Sequence, residues 1–110
     1  MPVLPENAVL GDYQRYVSEL EEERGFSQQN ARDKCLLLGE EIGELFKAVR
    51  KAEGMGIDAN AKVGELEGEL ADVFIYLCAI ANRFDVDLGM AFRRKEAINH
   101  TRRGPVRIFV

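Results

Sequence analysis

Val63-Gly64-Glu65-Leu66-Glu67-Gly68-Glu69-Leu70-Ala71-Asp72-Val73-Phe74-Ile75-Tyr76-Leu77-Cys78-Ala79-Ile80-Ala81-Asn82-Arg83-Phe84 decides the fold class. Its apolar residues at 63, 66, 70, 73, 77, 80 and 84 alternate in steps of three and four, the period of one helix face and not of a strand. From Val73 to Ala81 the residues are apolar on every side, and such a helix has to be covered on every side. A chain of three or four helices has too little of its own mass for that. The expectation is an all-α homo-oligomer, a homodimer or dimer of dimers, whose central four-helix bundle takes helices two and three from each chain.

Outward from this helix the same period recurs. Helix one is expected from Val9 to Arg24, with Leu10, Tyr13, Val17 and Leu20 on its buried stripe and Gly25 as its stop. Ser27 is the expected N-cap of helix two, which runs to Glu53 on a stripe of Cys35, Leu38, Ile42, Leu45 and Val49. Gly54 to Ala61 read as a loop. Asp85 to Asp87 break the chain again, and Asp87 caps a fourth helix ending near Thr101. Val106 to Val110 could extend against a partner.

At 110 residues the expectation is one domain, 1–110, with 46% hydrophobic and 31% charged residues and no low-complexity stretch. The longest uncharged apolar run, Val73 to Ala81, is far short of a membrane span. The first residues carry neither a basic segment nor an apolar one of the secretory kind. Cys35 and Cys78 form no CxxC pattern and both fall on apolar positions, so two buried thiols in a reducing cytoplasm are expected.

The net charge of −4 is uneven: residues 93–110 carry +5 and the first 92 carry −9. An acidic body with a basic arm suits a metal–phosphate ligand, since phosphates need cations and a metal needs carboxylates. Neither a membrane nor a nucleic acid is expected as partner. The alternative reading of the basic arm is a solvated helix end.

The carboxylates themselves are patterned. Glu41-Ile42-Gly43-Glu44 and Glu69-Leu70-Ala71-Asp72 are acidic pairs spaced by three, with 24 residues between Glu44 and Glu69. With Ile42 and Leu70 as stripe centres, the first acid of each pair lies about 100° and the second about 160° to the same side. If the helices pack stripe to stripe, the pairs converge on one wall of a cleft. Oxygen donors without His or Cys suit a hard cation, Mg²⁺ or Mn²⁺, which takes its remaining ligands from water and substrate phosphates. Glu65 sits one turn before Glu69, and Glu21 to Glu23 read as helix-end solvation.

The run Leu38-Gly39-Glu40-Glu41-Ile42-Gly43-Glu44-Leu45, followed by Glu67-Gly68-Glu69-Leu70-Ala71-Asp72-Val73-Phe74-Ile75-Tyr76-Leu77, resembles the MazG-like nucleoside triphosphate pyrophosphohydrolases of the all-alpha NTP pyrophosphatase superfamily. That family's pattern is ExxE, a variable gap, then ExxD, and the resemblance covers residues 13 to 103. It implies Mg²⁺-dependent cleavage of a (deoxy)nucleoside triphosphate to monophosphate and pyrophosphate, with nucleotide-pool house-cleaning as the role. By resemblance the metal ligands are Glu41, Glu44, Glu69 and Asp72, and a Lys-x-x-x-Asn element matches Lys95 and Asn99. Related enzymes use an aromatic between helices one and two against the base, and Phe26 occupies a comparable place.

The chemistry adds roles for neighbouring residues. Hydrolysis at the α-phosphorus needs a carboxylate to orient or deprotonate water, for which Glu41 and Glu44 are the first candidates and Glu40 a third. Lys34, two turns before Glu41 on the same flank, is the first candidate for a phosphate contact, the alternative being a surface residue. Lys95, Asn99 and Arg102 share one face of helix four and are the next candidates, with Arg103 behind. Three other readings are weighed against this one: a di-iron carboxylate protein, a non-catalytic dimerisation or adaptor module, and a hydrolase of phosphoribosyl-ATP. The first needs two Glu-x-x-His motifs, and His100 is the chain's one histidine. The second predicts no metal dependence, and the third calls for a substrate panel.

Overall fold

The structure is a computed structural model that describes residues 1–102. It contains α1 (Leu10–Arg24), α2 (Ala31–Ala52), α3 (Leu66–Arg83) and α4 (Leu88–Thr101), with no strand among the described residues. The expected extension at Val106 to Val110 lies outside them, as does Arg103.

Local chemistry sets the boundaries. The Asp12 carboxylate accepts the Val9 N–H (2.8 Å) and opens α1. Gly25 closes it at φ 78°, a left-handed conformation that glycine adopts without strain, while the Phe26 N–H returns to the Glu21 carbonyl (2.7 Å). The cap of α2 is Asn30 and not the expected Ser27. Asn30 Oδ1 accepts the Asp33 N–H (2.9 Å) and Asp33 Oδ2 accepts the Asn30 N–H (3.0 Å), a reciprocal pair that places the cap three residues beyond Ser27. Helix α3 starts at Leu66, so Val63 precedes it in the connection. Asp87 caps α4 as expected, its Oδ1 accepting the Met90 N–H (2.9 Å).

Helix α3 packs on α2 and on α1, and α4 packs on α1. Val17, Cys78 and Ala79 form a small buried cluster with Phe74 and Leu88 against it, and Tyr13 meets the Phe74 ring edge-on at 5.7 Å. Gln14 ties three elements together. Its Nε2 donates to Asn82 Oδ1 (3.2 Å) and the Val86 carbonyl (2.8 Å), and its Oε1 accepts the Leu88 N–H (2.9 Å).

The helices are rolled relative to the stripe-to-stripe expectation. On α2 the buried positions are Lys34 and Ala48, which with Glu41 follow i, i+7, i+14 along one line. On α3 the buried Cys78, Ala79 and Ala81 flank the apolar stripe, whereas Leu70, Leu77 and Phe84 within it stay 52%, 44% and 64% exposed. Cys35 is exposed, not buried as expected, and only Cys78 is enclosed, its thiol pushed up to about 11 by burial. The reason is size. Small residues on the flanks let the α1, α2 and α3 backbones approach closely, and the bulky stripe is turned outward.

Candidate metal centre and its pocket

The roll of the helices brings the acids inward. Glu41 from α2 and Glu69 and Asp72 from α3 each offer a carboxylate oxygen, and these atoms lie within 4.8 Å of one another. Glu41 Oε2 and Glu69 Oε2 are buried and accept no hydrogen bond. Two facing carboxylate oxygens can satisfy each other only by sharing a proton or a cation. Burial, the adjoining Glu69 carboxyl and the charges of Asp72, Glu69 and Glu44 accordingly hold Glu41 above its ordinary 4.5. Gly64 makes room for this group: a Cβ there would collide with Glu69 Oε1. An all-oxygen donor set with two orphaned buried oxygens fits a hard divalent cation.

Glu44 stands outside the group of three, half-buried, with Lys47 Nζ 3.5 Å from its Oε1. Glu40 is exposed one residue before Glu41, and Glu65 is the exposed cap residue of α3.

Beside the acids lies a cavity of about 260 Å³ whose lining includes Leu20, Phe26, Lys34, Asp72, Ile75 and Tyr76. Asp72 therefore belongs to both the acidic group and the cavity. Phe26 is 46% exposed at this wall. Lys34 is buried there, its Nζ 2.9 Å from Glu21 Oε2 and 5.3 and 5.6 Å from the Phe26 and Tyr76 ring centres. Burial, together with the charges of Glu41, Asp72, Glu40 and Glu21, pushes the Tyr76 hydroxyl above 10.

Glu21 is the largest departure from the sequence reading. It is not helix-end solvation but a buried acid that also takes a two-pronged contact from Arg83 (both 2.9 Å). Burial pushes its carboxyl up, yet the hydrogen bonds and charges of Arg83 and Lys34 outweigh that and hold it below 4.5. Arg83 is 62 residues away in sequence, so no local spacing announces the contact. Tyr76 was not singled out from the sequence either, although a local signal existed: it follows Glu69 and Asp72 at i+7 and i+4 on one face.

The α4 candidates are not brought to the acids. Lys95 lines a second cavity, with Leu10, Phe74 and Phe92, that shares no residue with the first. Asn99 donates to Glu96 Oε2 (3.0 Å), and Arg102 is exposed just beyond α4.

Comparison with known proteins bears on this constellation. The MazG nucleotide pyrophosphohydrolase domain family matches residues 29–103, which contain α2, α3 and α4. Two structures of iMazG from Vibrio DAT 722 are similar to the chain. The form tagged at its C-terminus is 28% identical with a TM-score of 0.65, over 84% of this chain and 98% of that one. The form tagged at its N-terminus is 27% identical with a TM-score of 0.67, over 87% and 98%. A search of curated protein sequences found no match. With both acidic pairs inside the matched residues, the chain belongs to the MazG nucleotide pyrophosphohydrolase domain family.

Proposed function

We propose that this nucleotide pyrophosphohydrolase is Mg²⁺-dependent and cleaves a (deoxy)nucleoside triphosphate to the monophosphate and pyrophosphate. The observation that carries the reading is the convergence of Glu41, Glu69 and Asp72, with two buried oxygens that lack any hydrogen-bond donor. These three residues would hold the cation. Bound there, Mg²⁺ supplies charge neutralisation for the phosphate oxygens.

The chain's other groups divide the remaining work. Glu44, outside the group and held by Lys47 alone among the described residues, orients or deprotonates the attacking water, with Glu41 as the other candidate. Water adds to the α-phosphorus as the bond to the bridging oxygen of the β-phosphate breaks, and pyrophosphate leaves. Lys34 presents its buried ammonium to the phosphates from the wall that Asp72 shares. Phe26, half exposed on that wall, stacks on the base. Lys95, Asn99 and Arg102 lie away from this cavity in the single chain, so a contact of theirs with the leaving pyrophosphate belongs to an assembled oligomer. The exposed Leu70, Leu77 and Phe84 of α3 supply the surface for such an oligomer.

The deciding experiment incubates the purified protein with the common NTPs and dNTPs and Mg²⁺, resolving pyrophosphate from orthophosphate. Monophosphate and pyrophosphate are the expected products. Folded Glu69→Gln and Asp72→Asn variants are expected to lose about a hundredfold or more in kcat/KM. Full activity in both would end the site assignment, and no turnover of any nucleotide would favour an adaptor.

A further inference from the structure

Arg83, the last residue of α3, spends all five of its N–H donors inside the chain. Nε donates to the Gln29 carbonyl (2.7 Å), Nη1 to Glu21 Oε1 and the Ala79 carbonyl (2.9 Å each), and Nη2 to Glu21 Oε2 (2.9 Å) and the Phe26 carbonyl (3.2 Å). A guanidinium has no sixth donor, so nothing remains for a ligand. Yet Glu21, Phe26 and Gln29, which it holds, all line the cavity beside the acids.

We infer that Arg83 is a positioning residue for nucleotide binding: through the Phe26 and Gln29 carbonyls and Glu21 it fixes Phe26 and the Lys34 ammonium on the cavity wall. The inference rests on the proposed function. Its physical argument has two parts. First, the connection between α1 and α2 is short and Phe26 is half exposed, so two carbonyls gripped by one rigid fork set where that ring stands. Second, the Lys34 side chain is 6% exposed, and Glu21 is the one carboxylate it meets among the described residues. Without Glu21 that buried ammonium would have no carboxylate to hold it in place. With Glu21 alone the pair would be neutral. Arg83 leaves the trio at a net charge of +1, which suits a wall that faces a triphosphate.

The test measures steady-state hydrolysis of the preferred nucleotide by wild type, Arg83→Met and Arg83→Lys, together with proton NMR of the Lys34 ε-methylene, expected upfield of its unfolded position because the Phe26 and Tyr76 rings stand against the ammonium. In variants that keep the native amide spectrum, KM is expected to rise about tenfold or more while kcat stays within about threefold, and the ring-shifted signal to move toward its unfolded position. Arg83→Lys restores the charge but not the fork, so it is expected not to rescue. A KM within about twofold of wild type, or a retained ring shift, overturns the inference. If both variants fail to fold, Glu21→Gln is measured instead: Lys34 loses the carboxylate that Arg83 holds for it, so its ring-shifted signal is expected to move, and retention of that signal overturns the inference. If wild type turns over no nucleotide, the proposed function falls, and the NMR signal still decides: its retention overturns the positioning role and its loss sustains it.

Discussion

Glu41, half-buried, and Glu21, buried, are acids shifted in opposite directions. Glu41 is raised above 4.5, so in the metal-free protein it favours the folded state below 4.5, and that contribution is lost as pH rises through its folded value. Glu21 is lowered, so its contribution is present above 4.5 and lost as pH falls through its folded value. A cation in the acidic group removes the penalty on ionised Glu41. The rise in Tm on adding Mg²⁺ is therefore expected to grow between about pH 4.5 and pH 7, read by circular dichroism melts. A pH-independent shift would count against the three-carboxylate site. Gly64 gives a second expectation at this scale. A Cβ there meets the end of the flexible Glu69 side chain and not backbone, so Gly64→Ala displaces the carboxylate at little cost to the fold. The Mg²⁺ concentration for half-maximal activity should rise several-fold with Tm nearly unchanged; an unaltered Mg²⁺ response would show that Glu69 has room elsewhere.

Among the elements, four helices and most of their ends were legible, because period, Gly25 and the Asp87 cap are local signals. The start of α2 shows what local reading misses. Ser27 and Asn30 are both good cap residues, and the acid three positions after Asn30 decides between them. Asn30→Ala is expected to cost about 1 kcal/mol in denaturant unfolding and Ser27→Ala close to nothing. Equal losses would contradict the assigned boundary. The face each helix buries was less legible. The stripe on α3 is the most regular in the chain, yet the α1 and α2 contacts use its small-residue flanks, and Glu41, Lys34 and Ala48 line the matching edge of α2. Apolar periodicity reports that a face will be covered, not by which neighbour.

At the scale of the whole molecule, the uncovered stripe is the main unspent surface. Leu70, Leu77 and Phe84 on α3 and Leu36 and Phe46 on α2 are exposed in one chain, more than single scattered hydrophobics would account for. Light scattering is expected to give a mass of two or four chains. Leu77→Glu is expected to shift it toward one chain while α-helical content persists. A wild-type protein with the mass of a single chain would refute the central bundle. Among the described residues no helix is long and apolar enough to cross a membrane.

What the sequence determined by itself was helical class and helix number, because a period of 3.6 is a property of neighbouring residues, and the ExxE–ExxD pattern carried the family resemblance. The MazG family match agrees with that reading. Tertiary structure decided the rest. It chose Glu41, Glu69 and Asp72 as the group that meets, left Glu44 beside it, and enclosed Lys34 through Glu21 and Arg83. Those outcomes depend on how far each helix rolls about its own axis. That roll is set by the fit of small flanking residues between helices distant in sequence, which no window along the chain contains.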